Sequence, residues 1–148
     1  MQSTYEKCLD IFNAIGTNIN YVGVAGNGQH AKLANQIAIA GAISAMAETI
    51  AYAKKNNLDV DSLINAWSSG SAGSWQMKNM APRALNGDKN PGFFIKHFIK
   101  DMNIAIDESD ARELGLEVLH LVRDKYVKLS EMGCDDDGTQ ALIKVIDK

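Results

Sequence analysis

The chain has 148 residues, a formal net charge of −3, 46% apolar and 22% charged residues. This is enough for one domain with a real core, and the slightly acidic balance excludes a nucleic-acid binder built on a basic surface. Two cysteines, Cys8 and Cys134, are too few for a disulfide framework, so free thiols in a reducing cytoplasm are expected.

Residues 1–12 lack the apolar stretch of a secretory signal. Tyr5, Cys8, Leu9 and Phe12 fall at i, i+3, i+4, i+7 spacing and predict an amphipathic helix over 4–16, stopped at Gly16. Residues 18–24 (NINYVGV), with Ile19, Tyr21 and Val22, predict a short strand. One strand cannot stand alone, so it needs a sheet outside this segment or another chain. Residues 25–31 are a glycine-bearing turn. A long helix is expected from about Lys32 to Lys55, roughly 36 Å long at 1.5 Å per residue. Its centre is apolar on all sides and rich in Ala, Gly and Ser, which suits burial and close approach of a neighbouring helix or subunit. The best membrane candidate is 37–47 (IAIAGAISAMA), short of the eighteen or more residues that a span needs, so no membrane partner is expected.

The remainder reads as helical. Asp59 can cap a helix through Trp67, and Ser74 can cap another over 74–85 that Pro82 ends or kinks. Residues 86–92 are a loop. A helix over 96–114 carries Phe98, Met102, Ala105 and Ile106 on one face, and another spans 116–131 with Gly133 behind it. Asp135, Asp136 and Asp137 suit the N-terminus of a last helix over 139–147. The expected fold class is all-α, a multi-helix domain around one long helix.

Two clusters of residues carry possible chemistry. Gly26 and Gly28 precede Lys32, Asn35 and Gln36, and the last three share one helical face. Free backbone N–H groups at a helix start suit an anion. A lysine in that first turn would have its pKa lowered by the helix dipole and by any burial, as general-base work requires. On spacing alone, such a lysine is more often a plain surface group. The second cluster is Phe93 to Asp101, where Lys100 and Asp101 sit among apolar residues; an ordinary solvated lysine is the simpler reading of Lys100. Trp75 follows a Ser/Gly-rich loop and either packs or lines a pocket. His30, His97 and His120 are scattered without metal-ligand spacing, so no metal is expected.

Taken together, residues 22–36 (VGVAGNGQHAKLANQ) resemble the hinge of the 3-hydroxyisobutyrate dehydrogenase family, whose relatives include tartronate semialdehyde reductases and 6-phosphogluconate dehydrogenases. The pattern is G-x-x-G-x-G-x-x-x-K, met here by Gly23, Gly26, Gly28 and Lys32. Residues 92–101 (GFFIKHFIKD) resemble its second pattern, a Phe followed seven residues later by Lys-Asp, and DDGTQALIKVI resembles its end. The resemblance implies an NAD- or NADP-dependent oxidoreductase that interconverts a 3-hydroxy acid and its semialdehyde. It makes Lys32 the general acid/base and Asn35 and Gln36 the amides that orient substrate, although Gln36 stands where Asn is commoner. It places Trp75 in the substrate pocket, Lys100 and Asp101 near the nicotinamide, and Phe93 over the site.

The resemblance also implies that residues 1–24 are the end of a Rossmann nucleotide-binding domain that would hold most of the cofactor. Residues 25–148 would then be the helical substrate and dimerisation domain, inactive by itself and in a homodimer or larger homo-oligomer. The competing expectation is a non-catalytic helical oligomerisation module. An imine reductase shares this architecture but typically has another residue at the position of Lys32.

Overall fold

A computed structural model describes residues 2–146. The helices are α1 (Gln2–Lys7), α2 (Leu9–Ile15), α3 (Asn27–Lys55), α4 (Val60–Trp67), α5 (Trp75–Asn79), α6 (Ala81–Leu85), α7 (Ile95–Asp110), α8 (Glu117–Glu131) and α9 (Ile143–Ile146), with a 3₁₀ turn over Thr139–Leu142. Among the described residues there is no strand beyond one isolated bridge, Phe94 to Gly138, so the all-α expectation holds.

The core forms around α3, which packs on α5, α7, α8, α9 and the 3₁₀ turn. Ile43, Met46, Ala47 and Ile50 of α3 are buried against Phe98 and Met102 of α7, Tyr126 and Leu129 of α8, and Leu142. The predicted apolar face of α7 (Phe98, Met102, Ala105, Ile106) is buried throughout. At the centre Phe98 meets Tyr126 edge to face, with centroids 5.1 Å apart. The Tyr126 hydroxyl donates to the Thr139 carbonyl at 2.7 Å, tying α8 to the 3₁₀ turn. Burial pushes this phenol well above its ordinary pKa, so it stays a donor. By length and composition α3 would suffice to cross a membrane, yet its apolar side faces this core and carries the buried polar groups Gln36 and Ser44.

Helix ends follow local chemistry. Asp59 accepts from the Ser62 amide at 3.3 Å, and Ser74 from the Met77 amide at 3.0 Å, both as N-caps. α8 ends at Gly133 (φ 76°), and the Cys134 amide donates back to Leu129 O. Asn57 and Glu113 end α3 and α7 in the same left-handed way without glycine.

Several expected boundaries are corrected. The long helix starts at Asn27, five residues before Lys32, because Gly26 turns left-handed (φ 94°) directly before it and Gly28 continues as helix. The 4–16 helix is broken at Cys8 and buries no residue. Residues 18–24 are irregular rather than a strand, since no neighbouring strand is there to bond their backbone. This arm is held by the Tyr5 ring, 5.1 Å from Tyr21 and 5.7 Å from Phe12, and by the Asn27 amide, which donates to the Val22 carbonyl at 2.8 Å. The 74–85 helix is two helices meeting at Met80, with Pro82 in the first turn of the second, where its missing N–H costs nothing. α7 ends at Asp110, short of 114. The last helix begins as the 3₁₀ turn, and its acids pair with lysines instead: Asp137 with Lys144 at 2.6 Å and Asp136 with Lys96 at 2.6 Å.

Candidate functional site

Lys32, Asn35 and Gln36 lie one turn apart on α3 and reach the same cavity, of about 500 Å³. Ile39 and Ile43 continue that wall; Trp75, Gln76 and Met80 of the α5 region, Arg83 of α6, and Phe93 close the other sides. Phe93 is held there by main-chain bonds: Thr139 N–H donates to the Phe93 carbonyl at 3.2 Å, and Ile95 N–H to the Asp137 carbonyl at 3.1 Å. Lys32 Nζ lies 5.5 Å from the centre of the Phe93 ring.

Asp101, buried on α7, joins the predicted groups. Gln36 donates to its Oδ2 at 2.8 Å, Lys100 Nζ is 2.8 Å from its Oδ1, and Lys32 Nζ is 3.9 Å from Oδ2. Asn35 donates to Gln36 Oε1 at 3.4 Å. Gln36 is therefore fixed by its neighbours: its amide nitrogen serves Asp101 and its oxygen faces Asn35. Burial pushes the Asp101 carboxyl up, but hydrogen bonds from Lys100 and Gln36, with the charges of Lys100 and Lys32, outweigh this and hold it below its usual value near 3.8. A depressed carboxylate contributes stability that is present above its unfolded value and is lost as pH falls through its folded one. Asp101→Asn should therefore lower stability at neutral pH and flatten the acid limb. Urea midpoints of both proteins, measured at neutral pH and in acid below the carboxylate range, check this; equal acid sensitivity would contradict it.

Lys32 differs from expectation in placement. It sits in the second turn of α3, beyond reach of the free N–H groups, and its side chain is 55% exposed. The expected first-turn position is thus corrected. Lys100 and Asp101 do not line the main cavity. They line an adjoining groove of about 420 Å³ with Gly28, Gln29 and Lys32, so Lys32 is common to both spaces. Trp75 lines the cavity but is 65% exposed. Among the described residues no cluster of His, Cys, Asp or Glu could hold a metal, and Cys8 and Cys134 are unbridged.

Arg83 was not singled out by sequence reasoning. Its Nε donates to Asp88 at 2.8 Å and its Nη2 to the Asn90 carbonyl at 2.5 Å. The only sequence cue was an arginine five and seven residues before an Asp and an Asn in a loop, which ordinarily signals no more than a surface tie.

An all-helical domain whose central helix aims a lysine and two amides into a cavity has a match among known families. The family model described as the NAD-binding of NADP-dependent 3-hydroxyisobutyrate dehydrogenase matches residues 26–146, and the chain belongs to this family. The match falls on the helical part itself, so the family supports an NAD(P) cofactor. The chain is 43% identical over 144 residues to the uncharacterized oxidoreductase YkwC of Bacillus subtilis (strain 168), covering 97% of this chain and 50% of that protein. It is 37% identical over 147 residues to a probable 3-hydroxyisobutyrate dehydrogenase-like 1, mitochondrial, of Arabidopsis thaliana, covering 99% and 44%. A solved 3-hydroxyisobutyrate dehydrogenase of Mycobacterium tuberculosis, with L-serine, superposes with a TM-score of 0.91 at 24% identity, over all of this chain and 53% of that one. The chain spans about half the length of the relatives it matches.

Proposed function

We propose that this chain is the substrate-binding helical part of an enzyme that oxidises a 3-hydroxy acid to its semialdehyde, and reduces it back, with Lys32 as the general acid/base. The observation that carries this reading is the convergence of Lys32, Asn35 and Gln36 on one cavity, beside a buried carboxylate that reaches both Lys32 and Gln36. In the oxidation, Lys32 Nζ takes the hydroxyl proton as the carbinol carbon gives up its hydride; in the reduction it returns that proton. Asn35 and Gln36 orient the oxygen, Asp101 and the Phe93 ring position the Lys32 amino group, and Trp75 with Phe93 screens the site from water.

Bound NAD or NADP supplies the hydride acceptor. The adjoining groove suits the cofactor's nicotinamide and phosphate-bearing edge. For the cofactor it offers the Lys100 ammonium, held beside Asp101, the Gln29 amide and, at Gly28, open space with nothing within 4 Å of where a Cβ would stand. In this reading a nucleotide-binding part outside these residues completes the site, residues 1–24 lead into it, and the helical part alone does not turn over substrate. The unbridged cysteines suit a reducing compartment such as the cytoplasm. The test is turnover by the full-length protein, wild type and Lys32→Ala, on 3-hydroxy acids and their semialdehydes with NAD and NADP. Activity in the wild type with retained activity in the variant would sink the role given to Lys32.

A second reading, self-association, is favoured by one observation. Val118 and Leu121, three residues apart on α8, form an apolar stripe on one face and are each more than half exposed. A homo-oligomer that buries this stripe should shift toward monomer in sedimentation velocity when Val118 and Leu121 are both changed to Lys. A wild type that sediments as a monomer would contradict it.

A further inference from the structure

Among the described residues, two cations, Lys32 and Arg83, line the 500 Å³ cavity, and no carboxylate does. A lysine that handles the carbinol proton accounts for one of them. The cavity is also long. Its α3 wall runs from Lys32 to Ile43, eleven residues, about 16 Å at the rise of a helix. A four-carbon hydroxy acid, with its handful of heavy atoms, would leave most of that length empty, while Arg83 would be left buried in part with nothing to recognise.

Arg83 is built as a binding group. Its Nε is held by Asp88, and its Nη2 by the Asn90 carbonyl. Those same two loop residues are gripped from below by Gln140, which is wholly buried and donates to the Asp88 carbonyl at 2.9 Å and the Asn90 carbonyl at 3.0 Å. The guanidinium is thus fixed before any ligand arrives, which lowers the entropy cost of binding. Among the described residues its Nη1 has no hydrogen-bond partner. A Cβ at Gly92, which also lines the cavity, would lie 3.8 Å from Nη1, so a bare glycine flanks that nitrogen. A planar fork with donors left over is the side chain best suited to a carboxylate or phosphate.

Resting on the reading of Lys32 given above, we infer that Arg83 determines specificity by binding an anionic group remote from the carbinol. The preferred substrate is then a 3-hydroxy acid that carries a second carboxylate or a phosphate, rather than one with an apolar branch. Because this contact is made equally before and during reaction, it acts on KM more than on kcat.

The test uses the full-length protein with three 3-hydroxy acids whose carbinol is a primary alcohol, 2-(hydroxymethyl)adipate, its analogue with a phosphate in place of the second carboxylate, and 3-hydroxyisobutyrate, and the variants Arg83→Met and Arg83→Lys. The wild type should favour one of the two anionic compounds, and which one it favours names the second group. Arg83→Met should raise KM for that compound about 10- to 100-fold, the worth of a lost charge-assisted contact, with kcat little changed, and should weaken 3-hydroxyisobutyrate far less. Arg83→Lys, which can still reach Asp88, should recover part of the loss. Equal weakening of all three substrates would overturn the inference and leave Arg83 as a tie for loop 86–92; so would a wild type with no preference for either anion. Calorimetric binding of the same compounds separates this from the role of Lys32. An Arg83-dependent Kd in a protein whose turnover ignores Lys32→Ala would sink the acid/base reading and keep this one. A Kd indifferent to Arg83, with turnover that needs Lys32, would do the reverse.

Discussion

Lys32→Ala in the full-length protein should lower kcat on the preferred 3-hydroxy acid by about a thousandfold, near the middle of the range for loss of a general acid/base, equivalent to roughly 4 kcal/mol of transition-state stabilisation. The size follows from what remains. Asn35, Gln36 and the cavity walls still orient the substrate, but among the described residues the other polar side chains lining the cavity are Arg83, which only donates, amides, the Trp75 indole and the Thr139 hydroxyl, none of them suited to take a proton and return it. The loss should fall on kcat, because the proton moves only in the transition state. Cofactor affinity, measured by fluorescence titration of NADPH or NADH, should change little, since Lys100 and Gln29 remain in the adjoining groove. A fall in cofactor affinity matching the fall in rate would reassign Lys32 to cofactor binding. Its Asp101 contact, at 3.9 Å, is the longer of that carboxylate's two lysine pairs, which leaves the Lys32 amino group free to face the cavity.

Phe98→Ala should destabilise the protein by about 3–5 kcal/mol, the cost of removing a buried aromatic from a core that cannot collapse into the space. Phe98 has no solvent exposure, packs edge to face on Tyr126, and stands 6.0 Å from Phe93 at 78°. It also forms part of the cavity wall. Truncation therefore removes the backing of Phe93 and enlarges the cavity. Chemical denaturation should show a lower midpoint with an unchanged slope. Leu121→Ala, at a site 65% exposed, serves as the control and should shift the midpoint far less. A Phe98 variant as stable as that control would mean that the core centres elsewhere.

How much of this was legible beforehand depends on how local each signal was. The buried face of α7, the Ser74 and Asp59 caps and the Gly133 stop were legible because each is set by residues within one or two turns. The start of α3 was not. Gly26 and Gly28 read as a turn because glycine disfavours helix, yet only Gly26 is turned, and Gly28 lies in the first helical turn. That five-residue difference moves Lys32 from the first helical turn to the second. The strand over 18–24 was inferred from alternation that only an adjacent strand could make real. Lys32, Asn35 and Gln36 were found because helical spacing alone puts them on one side. The grouping of Phe93 with them depends on the bridge between Phe94 and Gly138, forty-four residues apart, which periodicity cannot show. Asp101 was noted for its neighbours in sequence, whereas its bond to Gln36 crosses 65 residues and needs α3 and α7 to pack. Arg83 escaped because the break at Met80 and the buried Gln140, both tertiary features, are what hold it in place.

The most direct test of the central claim is the pH dependence of kcat/KM for oxidation of the preferred 3-hydroxy acid, in wild type and in Lys32→Ala, with added methylamine as a third arm. The proposed role predicts a rate that rises with pH in the wild type as a base loses its proton. That limb should vanish in the variant and return in part when the small amine fills the place of the lost side chain. The same rising limb in the variant without amine would show that another group takes the hydroxyl proton, and would contradict the role assigned to Lys32.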